Sequence, residues 1–583
     1  MDTTLSWDES ENPHEELFSL IKKLKQDQSQ RLNDFSLHQY LYSNQKSFLR
    51  INYNSPPIKL NALQSMIDTV TSKIAKNRVK PMFLTTGGDW SLQNKVKKLN
   101  DGIKAIFLKI KLYFLMPLVF RDACIFGTGF AKVFREEDAI LVERILPREI
   151  FVDDAEAEYG NPRQLFQIKT VSKKLLIDQF PEFESEIKNA GESIDTGIVN
   201  KKNKFSEESV DIIEAWILPS FDKAGKHILA IESAVLNPDN TEYKKKYFPF
   251  VKFDWSSPIE GFWGQGLIAQ CKSIQGEIDR IVTRIQQSLH LIAVPRIMVS
   301  TGSRIVNSHL TNEIGGILEY NGNSPPQFHT ATAVNAEVYR YLDSLIEKIY
   351  QFGGVSQLSA TSKKPAGLDA AVAIREYNDI ETERFMLVGQ NYEQAFLDIS
   401  ERIIDCADEI VEEYGSFPVK APGKNSIEVI EWKDIRMETD AYLIQVFPTA
   451  LLPSTPTGKL QTVFDMLKLG LPLGTENIFK LLDFPDLESI TREFTAQDEI
   501  FDKIIEQIVD GKKVLMPEPF MNLPMGLKRM QQAYVQYLTL DLPEEKLSKF
   551  QDWMAIAEQM IQSMAPPPSP NQPAPSPSLP QPQ

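Results

Sequence analysis

The amino-acid sequence predicts an α+β fold, mainly helical, divided among several domains. Three observations carry this. Apolar residues recur at spacings of three and four through the middle and C-terminal parts of the chain. Alternating, strand-like runs crowd between residues 130 and 232. At 583 residues with 42% apolar content, the chain exceeds one ordinary core and can bury several.

The elements follow in order. Residues 1–50 are polar and rich in Gln and Ser, with one helical rhythm at Leu17, Ile21 and Leu24. Asn61 to Lys80 reads as a helix with Leu63, Ile67, Val70 and Ile74 on one face and a stop at Pro81. A third helix is expected from Ser91 to Leu112. Past Gly127-Thr128-Gly129 strands are expected at Phe130–Phe134, Ile140–Ile145, Ile150–Val152, Leu165–Val171, Val210–Leu218 and His227–Glu232.

From Gly266 to Ala293 an apolar stripe runs through Ile268, Cys271, Ile274, Ile278, Ile281, Ile285, Leu289 and Ile292, while Lys272, Asp279, Thr283, Gln286 and His290 fall on the other face. Pro295 ends this helix. A small β segment follows at Arg296–Ser300 and Gly316–Tyr320, and a second helix returns from Ala336 to Phe352, stopped by Gly353-Gly354. A polar loop, Val355 to Gly367, precedes a long charged helix that reaches Tyr414. Strands are expected at Ser426–Trp432 and Ala441–Phe447, then a Pro/Thr-rich connector, then helices to about Met564. The last 19 residues hold nine prolines and no charge, which reads as a disordered or polyproline tail. No internal period repeats.

Composition narrows the function classes. Three well-separated cysteines, Cys124, Cys271 and Cys406, fit a reducing compartment rather than a disulfide framework or a thiolate zinc site. No uncharged apolar run reaches the roughly 18 residues of a membrane helix, and the N-terminus lacks an apolar stretch of signal-peptide length. The chain therefore reads as soluble and intracellular, with no membrane partner. The net charge of −16 is concentrated: Leu368 to Tyr414 holds thirteen Asp/Glu against three Arg, while the first hundred residues carry fourteen Lys/Arg against ten Asp/Glu. No strong basic face for gripping phosphates emerges, which leaves DNA as a partner neither identified nor excluded.

Catalytic motifs are missing where they would be decisive. Gly127-Thr128-Gly129 and Gly261-Phe262-Trp263-Gly264 lack phosphate-loop spacing, and Thr457-Gly458-Lys459-Leu460 lacks both the upstream glycine and the hydroxyl. They read as turn glycines. His290, His309 and His329 have no Cys or close His to complete a metal site. The expectation is a non-enzymatic chain with no cofactor and no metal.

A family resemblance enters at Gly261 to Val299. The run GFWGQGLIAQCKSIQGEIDRIVTRIQQSLHLIAVPRIMV resembles the stem entry of tailed-bacteriophage portal proteins, in which a glycine-rich turn launches a helix that ends at a proline. The rest follows in the family's order. NALQSMIDTVTSKIAKNRVKPMF through DACIFGTGFAKVF, together with ILPREIFVDDAEAEYGNPRQLFQIKTVSKKLLIDQFP, resembles the wing, and FPTALLPSTPTGKLQTVFDMLKLGL resembles the link to the crown.

The resemblance implies a portal fold: an unassigned N-terminal arm at 1–50, wing at 51–260, first stem helix at 261–293 and clip at 294–335. It continues with the second stem helix at 336–353, tunnel loop at 354–367, a long wing helix and β return at 368–456, and crown at 457–564 before the tail at 565–583. It implies a closed ring of twelve copies at one capsid vertex, a head–tail connector for DNA packaging and ejection. Its partners would be the terminase, the head–tail adaptor, the major capsid and scaffolding proteins, and double-stranded DNA in the channel, with assembly in the host cytoplasm.

On this resemblance Gln357, Ser359, Thr361, Ser362, Lys363 and Lys364 would face DNA from the tunnel loop. Arg296, Arg304, His309, Glu319 and Phe328 would form the clip docking surface. Ile274, Ile278, Ile281, Ile285 and Leu289 would pack the stem against neighbouring subunits. Two other readings stand beside it: a packaging motor ATPase or nuclease of the same apparatus, which would need the missing phosphate loop or acidic metal ligands, and an unrelated cytoplasmic helical scaffold.

Overall fold

A computed structural model describes residues 7–8, 10–44, 58–75, 78–85, 90–191, 209–239, 241–293, 296–298, 327–329, 334–355, 385–422, 427–437, 442–446, 467–468, 500–509, 511, 513–539 and 542–564. It is an α+β structure in which helix outweighs strand. The helices are α1 (Pro13–Asp27), α2 (Ser29–Tyr42), α3 (Ala62–Ala75), α4 (Trp90–Lys109), α5 (Leu112–Phe126), α6 (Lys173–Gln179), α7 (Glu184–Asn189), α8 (Leu267–Ala293), α9 (Ala336–Gly353), α10 (Met386–Tyr414), α11 (Trp432–Ile435), α12 (Leu523–Thr539) and α13 (Glu544–Met564). The strands are β1 (Pro81–Thr85), β2 (Thr128–Glu136), β3 (Ala139–Ile145), β4 (Ile150–Phe151), β5 (Gln164–Ser172), β6 (Ser209–Ile217), β7 (Gly225–Ile231), β8 (Ala234–Val235), β9 (Glu242–Tyr243), β10 (Phe250–Asp254), β11 (Arg296–Met298), β12 (Gln327–His329), β13 (Pro418–Pro422), β14 (Ile427–Glu431) and β15 (Tyr442–Val446).

The chain divides into two compact units, one of residues 1–79 and 106–417, the other of residues 80–105 and 418–583. In the first, a six-stranded antiparallel sheet runs β4-β5-β6-β7-β8, with β9 also on β7. Its longest ladder pairs β5 with β6 from Gln164↔Ile217 to Ser172↔Ser209. One face is covered by α1, whose Leu17, Ile21 and Leu24 are spaced to share a helix face and pack with Trp7 on Phe166, Ile168, Ile213 and Ile228. Pro13 opens α1 and Glu15 and Glu16 sit in its first turn, complementing the helix dipole. The Trp7 indole N–H donates to Gln164 Oε1 at 2.8 Å. Residues 7–27, which the sequence leaves unassigned, thus complete a core. Burying each of those aliphatic side chains stabilises by about 1.5–3 kcal/mol.

A three-stranded sheet, β10-β2-β3, carries α5 and α10 against it. An aromatic cluster joins these layers: Phe120 lies 5.3 Å from Phe253 and 5.5 Å from Tyr392, and Tyr392 lies 5.2 Å from Phe396. α8 and α9 pack on each other and on α3.

In the second unit β1 pairs with β15 and β13 with β14, both antiparallel. Asn100 of α4 holds β1 by its backbone, accepting from Phe83 N at 3.0 Å and donating to Phe83 O at 3.4 Å. Helical residues 500–509 join α12 and α13 around Phe501, Ile504, Met530, Phe550 and Trp553. Gly526 lets these helices approach closely, since a Cβ there would lie 2.5 Å from Phe501 Cε1.

Several expected boundaries move. The expected helix Ser91–Leu112 stops at Lys109, because Lys111 takes a left-handed conformation (φ 55°) and α5 starts beside it. The helix expected over Asn61–Lys80 ends at Ala75, and Pro81 begins a strand rather than merely stopping a helix. The long helix is described from Met386 to Tyr414, about 44 Å at 1.5 Å per residue, and Gly415 (φ 79°) ends it. Residues 368–384 lie outside the described residues, as do the expected strand Gly316–Tyr320 and the tail.

Candidate functional site

The site is the junction from which α8 starts and to which α9 returns. Its foundation is a contact between backbones. α5 ends at Gly127 with φ 103°, which glycine tolerates and a side chain rarely adopts. A Cβ on Gly127 would lie 2.0 Å from the Gly264 carbonyl oxygen, and one on Gly266 would lie 2.8 Å from Gly127 N. Both glycine-rich turns, read from sequence as turns and not phosphate loops, therefore serve one purpose: they let the end of α5 press against the chain that launches α8.

Hydrogen bonds lock this contact. Thr128 Oγ1 donates to Asp254 Oδ1 at 2.7 Å and accepts from Gly264 N at 2.9 Å. Trp255 N donates to Gly127 O at 3.0 Å and Gln265 N to Ser256 O at 3.1 Å. Burial raises the Asp254 pKa, opposed by Lys252 at 2.9 Å and by the Thr128 hydroxyl.

α9 is fixed at the same junction. Its N-cap Asn335 accepts from Glu337 N at 3.2 Å. Leu345, Ile349 and Tyr350 are buried, and Gly353 sits so close to α3 that a Cβ would lie 1.8 Å from Met66 Sδ. Gly354 (φ 72°) closes the helix in a left-handed cap. Phe385, at the head of α10, packs 6.0 Å from Trp255. Between these ends lies a cavity of about 410 Å³, lined by Trp255, Gln270, Phe352, Gly354, Leu387 and Asn391. Phe352 is 66% and Leu387 71% exposed.

The sequence-predicted residues fall unevenly. Gln357, Ser359, Thr361, Ser362, Lys363 and Lys364 lie outside the described residues, as do Arg304, His309 and Glu319. Arg296 and Phe328 are in the short antiparallel pair β11–β12, where Arg296 is opposite His329 and Ile297 opposite Phe328. Among the stem residues, Ile278 and Ile281 are buried inside this chain, Ile274 and Ile285 are half-buried, and Leu289 is 52% exposed. The first part of the apolar stripe therefore fills the chain's own core, and Leu289, nearer the helix's far end, is exposed.

The other side of α8 carries what the sequence did not reveal. Gln275, Asp279 and Thr283, one turn apart, are all buried. Gln275 Nε2 donates to Leu60 O at 2.7 Å and to Asp279 Oδ1 at 2.9 Å, while Gln275 Oε1 accepts from Ala62 N at 3.2 Å. Gln286 Oε1 accepts from Ile58 N at 3.1 Å. This polar row reads the backbone of residues 58–62, so the face that resembles a solvated one is a buried hydrogen-bonding ladder. Burial raises the Asp279 pKa, with Gln275 and Lys59 opposing.

A strongly perturbed ion pair is in the sheets, away from this junction. Lys132 Nζ lies 2.5 Å from Glu214, and His227 Nε2 lies 2.9 Å from the same carboxylate. Burial alone would raise the Glu214 pKa, but Lys132 and His227 outweigh it and hold it down to about 2. Lys132 is also 4.9 Å from the Trp216 ring. With its partners filled, this group is a structural ion pair. All three cysteines are buried, and burial pushes the Cys271 and Cys406 thiols up to about 11, away from thiolate chemistry. Among the described residues no three His, Cys, Asp or Glu side chains converge as metal ligands, and no helix is long and apolar enough to cross a membrane.

No family model matches the chain, and no curated protein matches it.

Proposed function

We propose that this chain is a portal subunit, a non-enzymatic member of a ring that lets DNA into and out of a phage capsid. The observation that carries the reading is the ordered unit α8, β11–β12, α9, then α10: two packed helices flank a short β pair and return to one glycine-clamped junction. In this reading α8 and α9 are the stem, the β pair belongs to the clip, and the junction is the rigid mount on the wing.

The mechanism follows from the geometry. A channel subunit has to hold its helices in register while DNA and motor proteins pull on them, and backbone-to-backbone contacts yield less than side-chain packing. The clamp of Gly127, Gly264 and Gly266, the Thr128–Asp254 bonds and the Gln275 ladder all resist tilting of α8 at its base. Charge supports passage of DNA rather than capture: the described part of the long helix, Met386–Tyr414, is strongly acidic. Weak contacts suit a moving duplex. ATP hydrolysis would come from the terminase.

The test is assembly. Native mass spectrometry and electron microscopy of the purified chain are expected to give closed rings, twelve-fold in the main. A chain that stays monomeric at micromolar concentration overturns the reading.

A further inference from the structure

The N-terminal helix α2 lies across the end of α5 and the start of α8, and its contacts contain a titratable weak point. Phe35 packs 5.3 Å from Phe126 and 5.9 Å from Trp263, edge to face. The Arg31 guanidinium stacks 3.9 Å over the Trp263 ring. Lys272 of α8 reaches Asp34 at 3.4 Å. One turn past Asp34 sits His38, 5% exposed, with both ring nitrogens buried and without a hydrogen-bond partner. A buried imidazole in that state is tolerated only while neutral.

We propose that α2 is an acid-released latch on the start of α8, opened by protonation of His38. The charges around it decide the direction. From α8, Lys272 already supplies a cation beside the ring; from α2 itself, Asp34 is the one nearby anion and is occupied by Lys272. From α5 the Ile125 backbone lies against the imidazole, while Arg121 lies 5.9 Å from the Tyr42 ring one turn further on. From α3, Asp68 accepts the Tyr42 hydroxyl at 2.7 Å and so is engaged elsewhere. An imidazolium here would be a buried cation beside the Lys272 ammonium, with Asp34 already engaged and the Ile125 backbone as the acceptor that faces it. Burial first, and Lys272 next, hold the His38 pKa down from 6.5 to about 4, outweighing Asp34 and the Ile125 backbone, which act the other way.

The sign follows from that depression. Docking is fully favoured above the undocked value of 6.5 and is lost as pH falls towards 4. A shift of that size tilts the docking equilibrium about 300-fold between the two limits. Release would uncover Trp263 and Lys272, the launch of α8, while the β5–β6 ladder keeps its own hydrogen bonds. The inference goes beyond the ring reading and stands without it.

Hydrogen exchange of the full chain, corrected for intrinsic rates and followed from pH 7 to pH 3.5, tests it. Peptides covering 29–44 and 261–275 are expected to lose protection together between about pH 5 and 4, while 164–172 and 209–217 keep theirs. In His38→Phe, and in His38→Gln should the first variant not fold, the midpoint is expected to move down by about one pH unit or more. If both variants lose protection at the wild-type pH, or residues 29–44 stay protected to pH 3.5 in the wild type, the latch is wrong.

Discussion

Gly264→Ala tests the glycine clamp directly. The added Cβ would lie 2.7 Å from Gly127 O, 2.9 Å from Asp254 Oδ1 and 2.9 Å from Ser256 O. Two of these atoms are backbone and the third is held by Thr128 and Lys252, so none can retreat as a flexible side-chain end would. Relief needs a shift of half an ångström or so in a segment pinned by four hydrogen bonds, and overpacking of that kind costs about 1–3 kcal/mol. Two glycines in the same unit serve as controls. Gly389 lies inside α10 with nothing within 4 Å of its added Cβ, so Gly389→Ala should stabilise by about 1 kcal/mol. Gly415 is equally open but has φ 79°, so Gly415→Ala should cost about 1 kcal/mol through backbone strain alone. Urea unfolding followed by circular dichroism gives the three midpoints, and native mass spectrometry shows whether each variant assembles. Gly264→Ala unfolding at or above the midpoint of Gly415→Ala would refute the clamp.

Two further perturbations address charge. Glu214→Gln leaves the Lys132 ammonium buried among Trp216, Phe250 and Phe134 and should cost about 3–5 kcal/mol at pH 7, whereas Lys132→Met with Glu214→Leu should fall within about 1 kcal/mol of wild type; equal losses in both would contradict the ion-pair account. The Glu214 contribution is present above its unfolded value of 4.5 and is lost as pH falls through about 2. Asp405 of α10 behaves oppositely: burial, with Asp408 and Glu409 adding and Lys245 opposing, raises its pKa from 3.8 to about 6. It therefore destabilises above pH 6, and Asp405→Asn should stabilise by about 1 kcal/mol at pH 8 after solvent screening and by nothing near pH 4. A thermal-shift series across that range that shows no pH dependence would remove Asp405 from the account.

What the sequence conveys about this fold divides by the range of the interactions involved. The boundaries of α8 and α9 were legible because local signals set them: helical apolar spacing, Pro295 after one helix and Gly353-Gly354 at the end of the other. The strands β2, β3, β5, β6 and β7 were legible for the same reason, since their alternation is written in consecutive residues. Failures came where a partner lies far along the chain. The strand β1 exists because it pairs with β15, some 360 residues away. The break at Lys111 interrupts a run whose apolar spacing alone would continue the helix.

The polar face of α8 shows the limit most sharply. Gln275 and Asp279 have the spacing of a solvated stripe, and only the arrival of residues 58–62, which Gln275 bonds, turns them into a buried ladder. The same holds for the junction, where Gly127 and Gly264 are unremarkable turn residues until 137 positions of chain bring them into contact. A site made of backbone contacts carries no side-chain chemistry for a motif to record. Its function therefore has to be argued from the order of elements and the rigidity of their joint, and that is why substitution of single glycines, rather than of any polar residue, is the sharpest probe of it.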